Sequence, residues 1–348
     1  MTGKFLKRNI LNARRYLSDT SFKTKWLFLR RRLIKIVNPW VPQKLWIGVT
    51  YRCQCECVHC CVGPYLNAGG NELTRDEVRS AITEARKMGF LEVTFFGGEP
   101  LLCRDLTGHI RYASSIGLMT SLYTNGILLT RERVRELREA GLSFCNVSLD
   151  SSSADRHDSL RNYSGGFKAA TEGIRNLVDA GIRCSIWSYV SKRDVADRDL
   201  KDLRELIAVG RRLKVKKVVI LFPIASGNWF CSKEDMLTME ERERVRTLFD
   251  PPFVILEFPD EETDCPAGKG LAYINPYGDV SPCPAVPFFF GNVRQEALSD
   301  ILKKVNGDFV KLEKGCGECI MNNEKFRHTM AQRDSLKGGC KAFTEKVH

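Results

Sequence analysis

The chain's 348 residues suffice for one large core or two smaller ones, and 43% hydrophobic with 28% charged residues excludes wholesale disorder. Fourteen cysteines in a chain without a secretory h-region point to metal in a reducing, cytoplasmic setting rather than to disulfide staples. No apolar run reaches the roughly 18–20 residues that span a bilayer, and the net charge of +12 is lopsided: residues 1–44 hold twelve Lys and Arg against one acid, Asp19.

Residues 1–44 read as basic amphipathic helix, ended by Asn38-Pro39 and Pro42. Phe22, Trp26, Leu29, Leu33, Ile36 and Val37 recur at helical spacing, with Lys23, Lys25, Arg30, Arg31, Arg32 and Lys35 around them. Such a helix suits an anionic membrane surface, placing the protein peripherally on the inner face of the cell membrane; the plainer reading packs the stripe on the body of the protein. Nucleic acid is not expected, because the aliphatic stripe would be superfluous there.

From 45 to about 250, short apolar strands alternate with helical stretches. Strands are expected at 45–51, 92–96, 120–123, 144–149, 183–190 and 217–222, and helices at 75–88, 106–116, 131–140, 167–180 and 199–213. Several helices stop at Gly89, Gly117, Gly141 or Gly181, where a left-handed C-cap is wanted. Strand–helix alternation implies parallel strands with right-handed crossovers, six units curling into a partial α/β barrel. From 251 to 348 Pro, Gly and Cys become frequent, which marks a smaller, loop-rich domain with one helix at 297–305.

Cys53, Cys57 and Cys60 follow the first strand as C-x3-C-x2-C. Three thiolates suit three irons of a four-iron cluster and leave the fourth open; the alternative is zinc or a plain structural role, though structural zinc takes four protein ligands. Cys55 and Cys61 fall outside the spacing and read as bystanders. One βα unit later comes Phe95-Phe96-Gly97-Gly98-Glu99-Pro100, where glycines let backbone approach a ligand and a carboxylate can accept from an ammonium.

With these two marks the chain resembles the radical S-adenosylmethionine (SAM) superfamily. The resemblance implies a partial (β/α)6 barrel whose cysteine loop carries a [4Fe-4S] cluster, with the open iron chelating S-adenosylmethionine. It implies that Gly97, Gly98 and Glu99 hold the cofactor's methionine end, that Ser148 and Asp150 lie near its ribose, and that Arg161 lies near its carboxylate. It further implies reductive cleavage to a 5′-deoxyadenosyl radical, hydrogen abstraction from an unactivated carbon, and a one-electron donor such as flavodoxin or ferredoxin.

Farther along, Cys265, Cys283, Cys316 and Cys319 surround an Asn275-Pro-Tyr-Gly-Asp279 turn. This set resembles the auxiliary-cluster domains called SPASM and its shortened form, twitch, which implies a second [4Fe-4S] cluster on those four cysteines, with Cys340 an alternative ligand and a zinc ribbon the rival. Cys231 reads as a loop cysteine or as a hydrogen-atom donor. The leading expected substrate is a membrane lipid or lipid-linked molecule, followed by a sugar or aminoglycoside and by a ribosomal peptide; a non-catalytic electron carrier would need neither an open iron nor a cofactor cradle.

Overall fold

The computed structural model describes residues 42–257, 265–310 and 319–327. Residues 1–41, most of the 1–44 segment expected to be basic amphipathic helix, and the positions of Cys316 and Cys340 lie outside the described residues.

In chain order the barrel units are β1 (Lys44–Thr50), α1 (Arg75–Met88), β2 (Glu92–Gly97), α2 (Leu106–Ser115), β3 (Met119–Thr124), α3 (Arg131–Glu139) and β4 (Phe144–Ser148). They continue through α4 (Ala154–Arg161), α5 (Gly166–Asp179), β5 (Arg183–Tyr189), α6 (Lys192–Ala196), α7 (Lys201–Arg212) and β6 (Lys217–Leu221). All six expected strands and five expected helices are present, with ends shifted by a residue or two. The sheet runs β1 to β6 in order with every neighbour parallel, as short right-handed crossovers dictate.

The sheet extends beyond these six strands. After α8 (Met239–Arg246), β7 (Val254–Glu257) adds in parallel beyond β6, so the composition change near residue 250 falls inside the sheet. At the other edge β8 (Leu271–Ile274) pairs in parallel with β1, and β9 (Val280–Ser281) folds back on it antiparallel. The turn at 275–279 makes that hairpin, with the Asn275 amide oxygen accepting from Tyr277 and Asp279 backbone N–H groups. Finally, α9 (Leu298–Lys304) packs on α1. The strand order β7-β6-β5-β4-β3-β2-β1-β8-β9 leaves the sheet open between β7 and β9.

Strand alternation sorts side chains to the two faces. Leu45, Ile47, Val93, Phe95, Leu122, Cys145, Val147, Cys184, Ile186, Val218 and Ile220 are all buried on the helix-covered face. Helix α1 answers them with Val78, Ala81, Ile82 and Ala85, a stripe at i, i+3, i+4 and i+7. Burying each larger aliphatic contributes about 1.5–3 kcal/mol. A capping box between Thr74 and Glu77 starts that helix, and Gly89 at φ 98° ends it.

The inward face differs. Trp46, Phe96, Tyr123 and Trp187 are only half-buried there, and their rings touch in a line: Trp46–Phe96 at 5.3 Å, Trp46–Tyr123 at 4.6 Å and Tyr123–Trp187 at 4.7 Å. Tyr273 of β8 extends the line to Phe96 at 6.1 Å. Below the rings, Ser121 donates to the Glu92 carboxylate at 2.9 Å and shares a hydrogen bond with Thr94.

Candidate active site

The cysteine loop leaves the C-terminal end of β1, the edge of a parallel sheet where catalytic groups gather. Three neighbouring strand ends hold it. From β2, Gly98 N–H donates to the Thr50 carbonyl and Glu99 N–H to the Arg52 carbonyl, both at 2.8 Å. Gly97 sits at φ 141°, and a Cβ there would lie 2.2 Å from the Thr50 carbonyl oxygen; a Cβ on Gly98 would lie 2.5 Å from that of Arg52. These glycines therefore let the backbone after β2 press on the backbone that leads into the cysteine loop.

Glu99 is fully buried. One carboxylate oxygen accepts from Leu101 N–H at 3.0 Å and the Thr124 hydroxyl at 2.8 Å, and the other from Asn125 N–H at 2.8 Å. Burial pushes its pKa up against those donors. Asn125 in turn points its amide N–H at the Cys55 sulfur, 3.6 Å away, while its amide oxygen accepts from Ile127 N–H. Cys55 is buried between the neighbouring cysteines, and its backbone N–H donates to the Cys53 sulfur at 3.4 Å. The bystander of the spacing pattern is thus built into the loop.

From β4, Asp150 reaches the loop through Arg161. The guanidinium gives the carboxylate two bonds, at 2.8 and 2.7 Å, and stands 3.6 Å from the Cys57 sulfur. His59 Nε2 lies 3.4 Å from the same carboxylate oxygen, and Tyr189 N–H donates to the other. Burial of Asp150 would raise its pKa, but Arg161, His59 and His157 overcome that and hold it at about 2. His157 accepts from Asp150 N–H through Nδ1, and burial keeps it neutral, its pKa down at about 4. Ser148, half-buried at the end of β4, pairs with Trp187 across the sheet.

The donor set fits a cluster bound by thiolates. Contact with Cys55 first, then Arg161 and His59, brings Cys57 down to about 5, so its ligating form prevails at neutral pH. Cys53 is also lowered, chiefly by Cys55, whereas burial pushes Cys60 well up. Among the described residues no three Cys, His, Asp or Glu side chains close on a single metal-ion position. In the C-terminal part, Cys283 has Cys265 and Cys319 for its electrostatic neighbours and is raised chiefly by burial. Cys231 is exposed.

The sequence matches the radical SAM superfamily profile over residues 47–207 and an iron–sulfur cluster-binding domain, SPASM, over 265–342. The chain belongs to the radical SAM superfamily. It is 26% identical to an AdoMet-dependent heme synthase of Methanosarcina barkeri, over 80% of this chain and 88% of that protein. It is 28% identical to a PqqA peptide cyclase of Rhodopseudomonas palustris, over 87% and 85%. The fold is shared with SuiB of Streptococcus suis bound to S-adenosylmethionine, at TM-score 0.63 and 16% identity, over 86% of this chain and 75% of that one. It is shared equally with anSMEcpe bound to AdoMet and a peptide, at TM-score 0.61 and 16% identity, over 87% and 95%. As a radical SAM enzyme with a SPASM domain, the protein uses S-adenosylmethionine and two [4Fe-4S] clusters.

Two groups near the loop belong to no motif in the sequence. His59 lies between Tyr189 at 4.9 Å and Trp229 at 5.7 Å, tilted to both rings; its only signal in the sequence is its place just before Cys60. Asn228 lies 168 positions beyond Cys60, yet donates to the Cys57 carbonyl.

Proposed function

We propose that Cys53, Cys57 and Cys60 hold the cluster that binds S-adenosylmethionine, and that the enzyme removes a hydrogen atom from a substrate seated on the ring-lined inner face of the sheet. The observation that carries this reading is the convergence of Glu99, Asp150 and Arg161 on one cysteine loop at the C-terminal edge of the sheet. Bound there, cluster and cofactor supply reductive cleavage of a carbon–sulfur bond and the carbon radical that follows. The protein's own groups hold and shield. Gly97, Gly98 and Glu99 face the cofactor's methionine end, Ser148 and Asp150 its ribose, and Arg161 its carboxylate. Trp46, Phe96, Tyr123 and Trp187 offer flat apolar surface that excludes water and stray hydrogen donors. Cys265, Cys283, Cys316 and Cys319 hold the auxiliary cluster, and a small electron-transfer protein such as flavodoxin or ferredoxin supplies the electron.

The rings favour a substrate with an aromatic or other flat apolar group, and relatives named as peptide cyclases support a peptide over a sugar. Anaerobic incubation with dithionite and S-adenosylmethionine is expected to yield 5′-deoxyadenosine, with a peptide bearing aromatic side chains stimulating turnover. Stimulation by a heme-type macrocycle alone would replace the peptide, and no 5′-deoxyadenosine at all would end the reading.

Glu99→Ala is expected to keep its iron while losing cofactor affinity by about 1.5–3 kcal/mol, the worth of a hydrogen bond to a charged group. Unchanged affinity by calorimetry would show that Glu99 serves only Leu101, Thr124 and Asn125.

A second reading, a lipid substrate met at a membrane, rests on the charge of residues 1–44. No helix among the described residues is long and apolar enough to cross a membrane. Full-length protein that pellets with anionic vesicles at low salt, when protein lacking residues 1–37 does not, would favour this reading; protein left in the supernatant would remove it.

A further inference from the structure

One short segment after β6 reaches both cysteine sets. At one end Ala225 N–H donates to the Asn322 amide oxygen at 2.9 Å, and Asn322 N–H donates to the Cys319 carbonyl at 2.8 Å. The next residue, Ser226, donates its hydroxyl to the Ala285 carbonyl at 2.8 Å, beside Val286, whose N–H donates to the Cys283 carbonyl at 3.1 Å. Two residues on, Asn228 donates its side-chain amide to the Cys57 carbonyl at 2.8 Å and its backbone N–H to the Cys60 carbonyl at 3.0 Å. Gly227 between them has φ 56°, and a Cβ there would lie 2.0 Å from the Cys60 carbonyl oxygen. Gly63 gives way on the other side, where a Cβ would lie 2.1 Å from the Asn228 amide oxygen. The contact is therefore tight at Gly227 and Gly63; Ser226, Gly227 and Trp229 are buried, and Asn228 holds its two bonds at the exposed rim.

We infer that residues 225–228 are a strap that fixes the two cluster loops against each other, with Asn228 the positioning residue for the first. Each of the four side-chain or backbone bonds named above lands on a ligand cysteine or within three residues of one. A backbone held at both carbonyls keeps the Cys57 and Cys60 thiolates in one arrangement, as outer-shell bonds do for metal ligands generally. Because the strap is short and packed, loosening the auxiliary loop loosens the first loop too, and by linkage the coupling runs both ways. The inference rests on the ligand assignment proposed above.

The test uses the anaerobically reconstituted, full-length enzyme, each sample reduced with dithionite before its spectrum is taken. The readout is the rate at which a strong iron chelator abolishes the electron paramagnetic resonance signal that responds to S-adenosylmethionine, which reports the first cluster alone. Replacing Cys265 and Cys283 by Ser is expected to speed that loss by about fivefold or more, the usual lower range of coupling between sites. Asn228→Ala should speed it similarly, and so should Asn228→Asp, which keeps the shape but lacks the amide donor. Combining Asn228→Asp with the auxiliary replacements should add little, because both cut the same connection. The inference is overturned if auxiliary loss leaves the rate unchanged, if Asn228→Asp behaves as the unaltered enzyme, or if the two effects multiply. A protein that never shows the cofactor-responsive signal would instead refute the ligand assignment.

Discussion

Enzyme carrying Cys53→Ala, Cys57→Ala and Cys60→Ala together is expected to retain about half its iron and to make no 5′-deoxyadenosine, because one of two four-iron clusters loses every protein ligand. The remaining iron should stay, since Cys265 before β8, Cys283 after β9 and Cys319 after α9 lie far along the chain from the altered loop. Folding should survive as well. The loop is fastened by bonds that the cysteine side chains do not make: Gly98 N–H to Thr50, Glu99 N–H to Arg52, and Asn228 to the Cys57 and Cys60 carbonyls. Iron and acid-labile sulfide measured beside cofactor cleavage give the answer. Retained cleavage would end the assignment of the first cluster, and loss of nearly all iron would show that both clusters depend on this loop.

The strands were legible because the helix-covered face of the sheet demands apolar residues at alternate positions, as in Val93 and Phe95 or Val218 and Ile220. Most helices showed both a stripe and a stop. Helix α4 did not, for a physical reason: Ala154–Arg161 buries His157 and Arg161 rather than an aliphatic stripe. Apolar periodicity cannot register a helix whose inward face is charged and aromatic because it serves the site. Strands β7 and β8 are four residues each, too short to stand out in a stretch rich in Pro, Gly and Cys. The Thr238-x-x-Glu241 capping box before α8 is a start signal carried by the sequence itself. Within the site, the two glycine–carboxylate and cysteine marks were visible as local strings. Contacts across the chain were not: nothing about Asn228 in isolation says that the loop after β6 returns to Cys57, and nothing about Cys55 says that Asn125 seeks its sulfur.

Asp150→Asn is expected to destabilise the protein by about 3–5 kcal/mol, the usual cost of breaking a buried ion pair from one side. Asp150 is 1% exposed, and its carboxylate is the acceptor for two of the Arg161 guanidinium nitrogens. Removing its charge leaves that buried cation to the Cys57 sulfur, 3.6 Å away, and to the more distant Cys55, without a carboxylate bonded to it. Arg161→Met alone should cost a similar amount by stranding the carboxylate beside His59. The double variant should cost clearly less than the two singles together, because neither charge is then left alone. The pH dependence has a defined sign. The folded pKa of about 2 lies below the unfolded value near 3.8, so this carboxylate stabilises the fold above about pH 4 and ceases to as pH falls through 2. Acid unfolding of Asp150→Asn should accordingly lose the part of its slope between about pH 4 and 2 that the unaltered protein shows. Urea unfolding of the three variants at neutral pH decides the rest: additive costs would mean that Arg161 finds another counter-charge and that the pair is not what joins β4 to the cysteine loop.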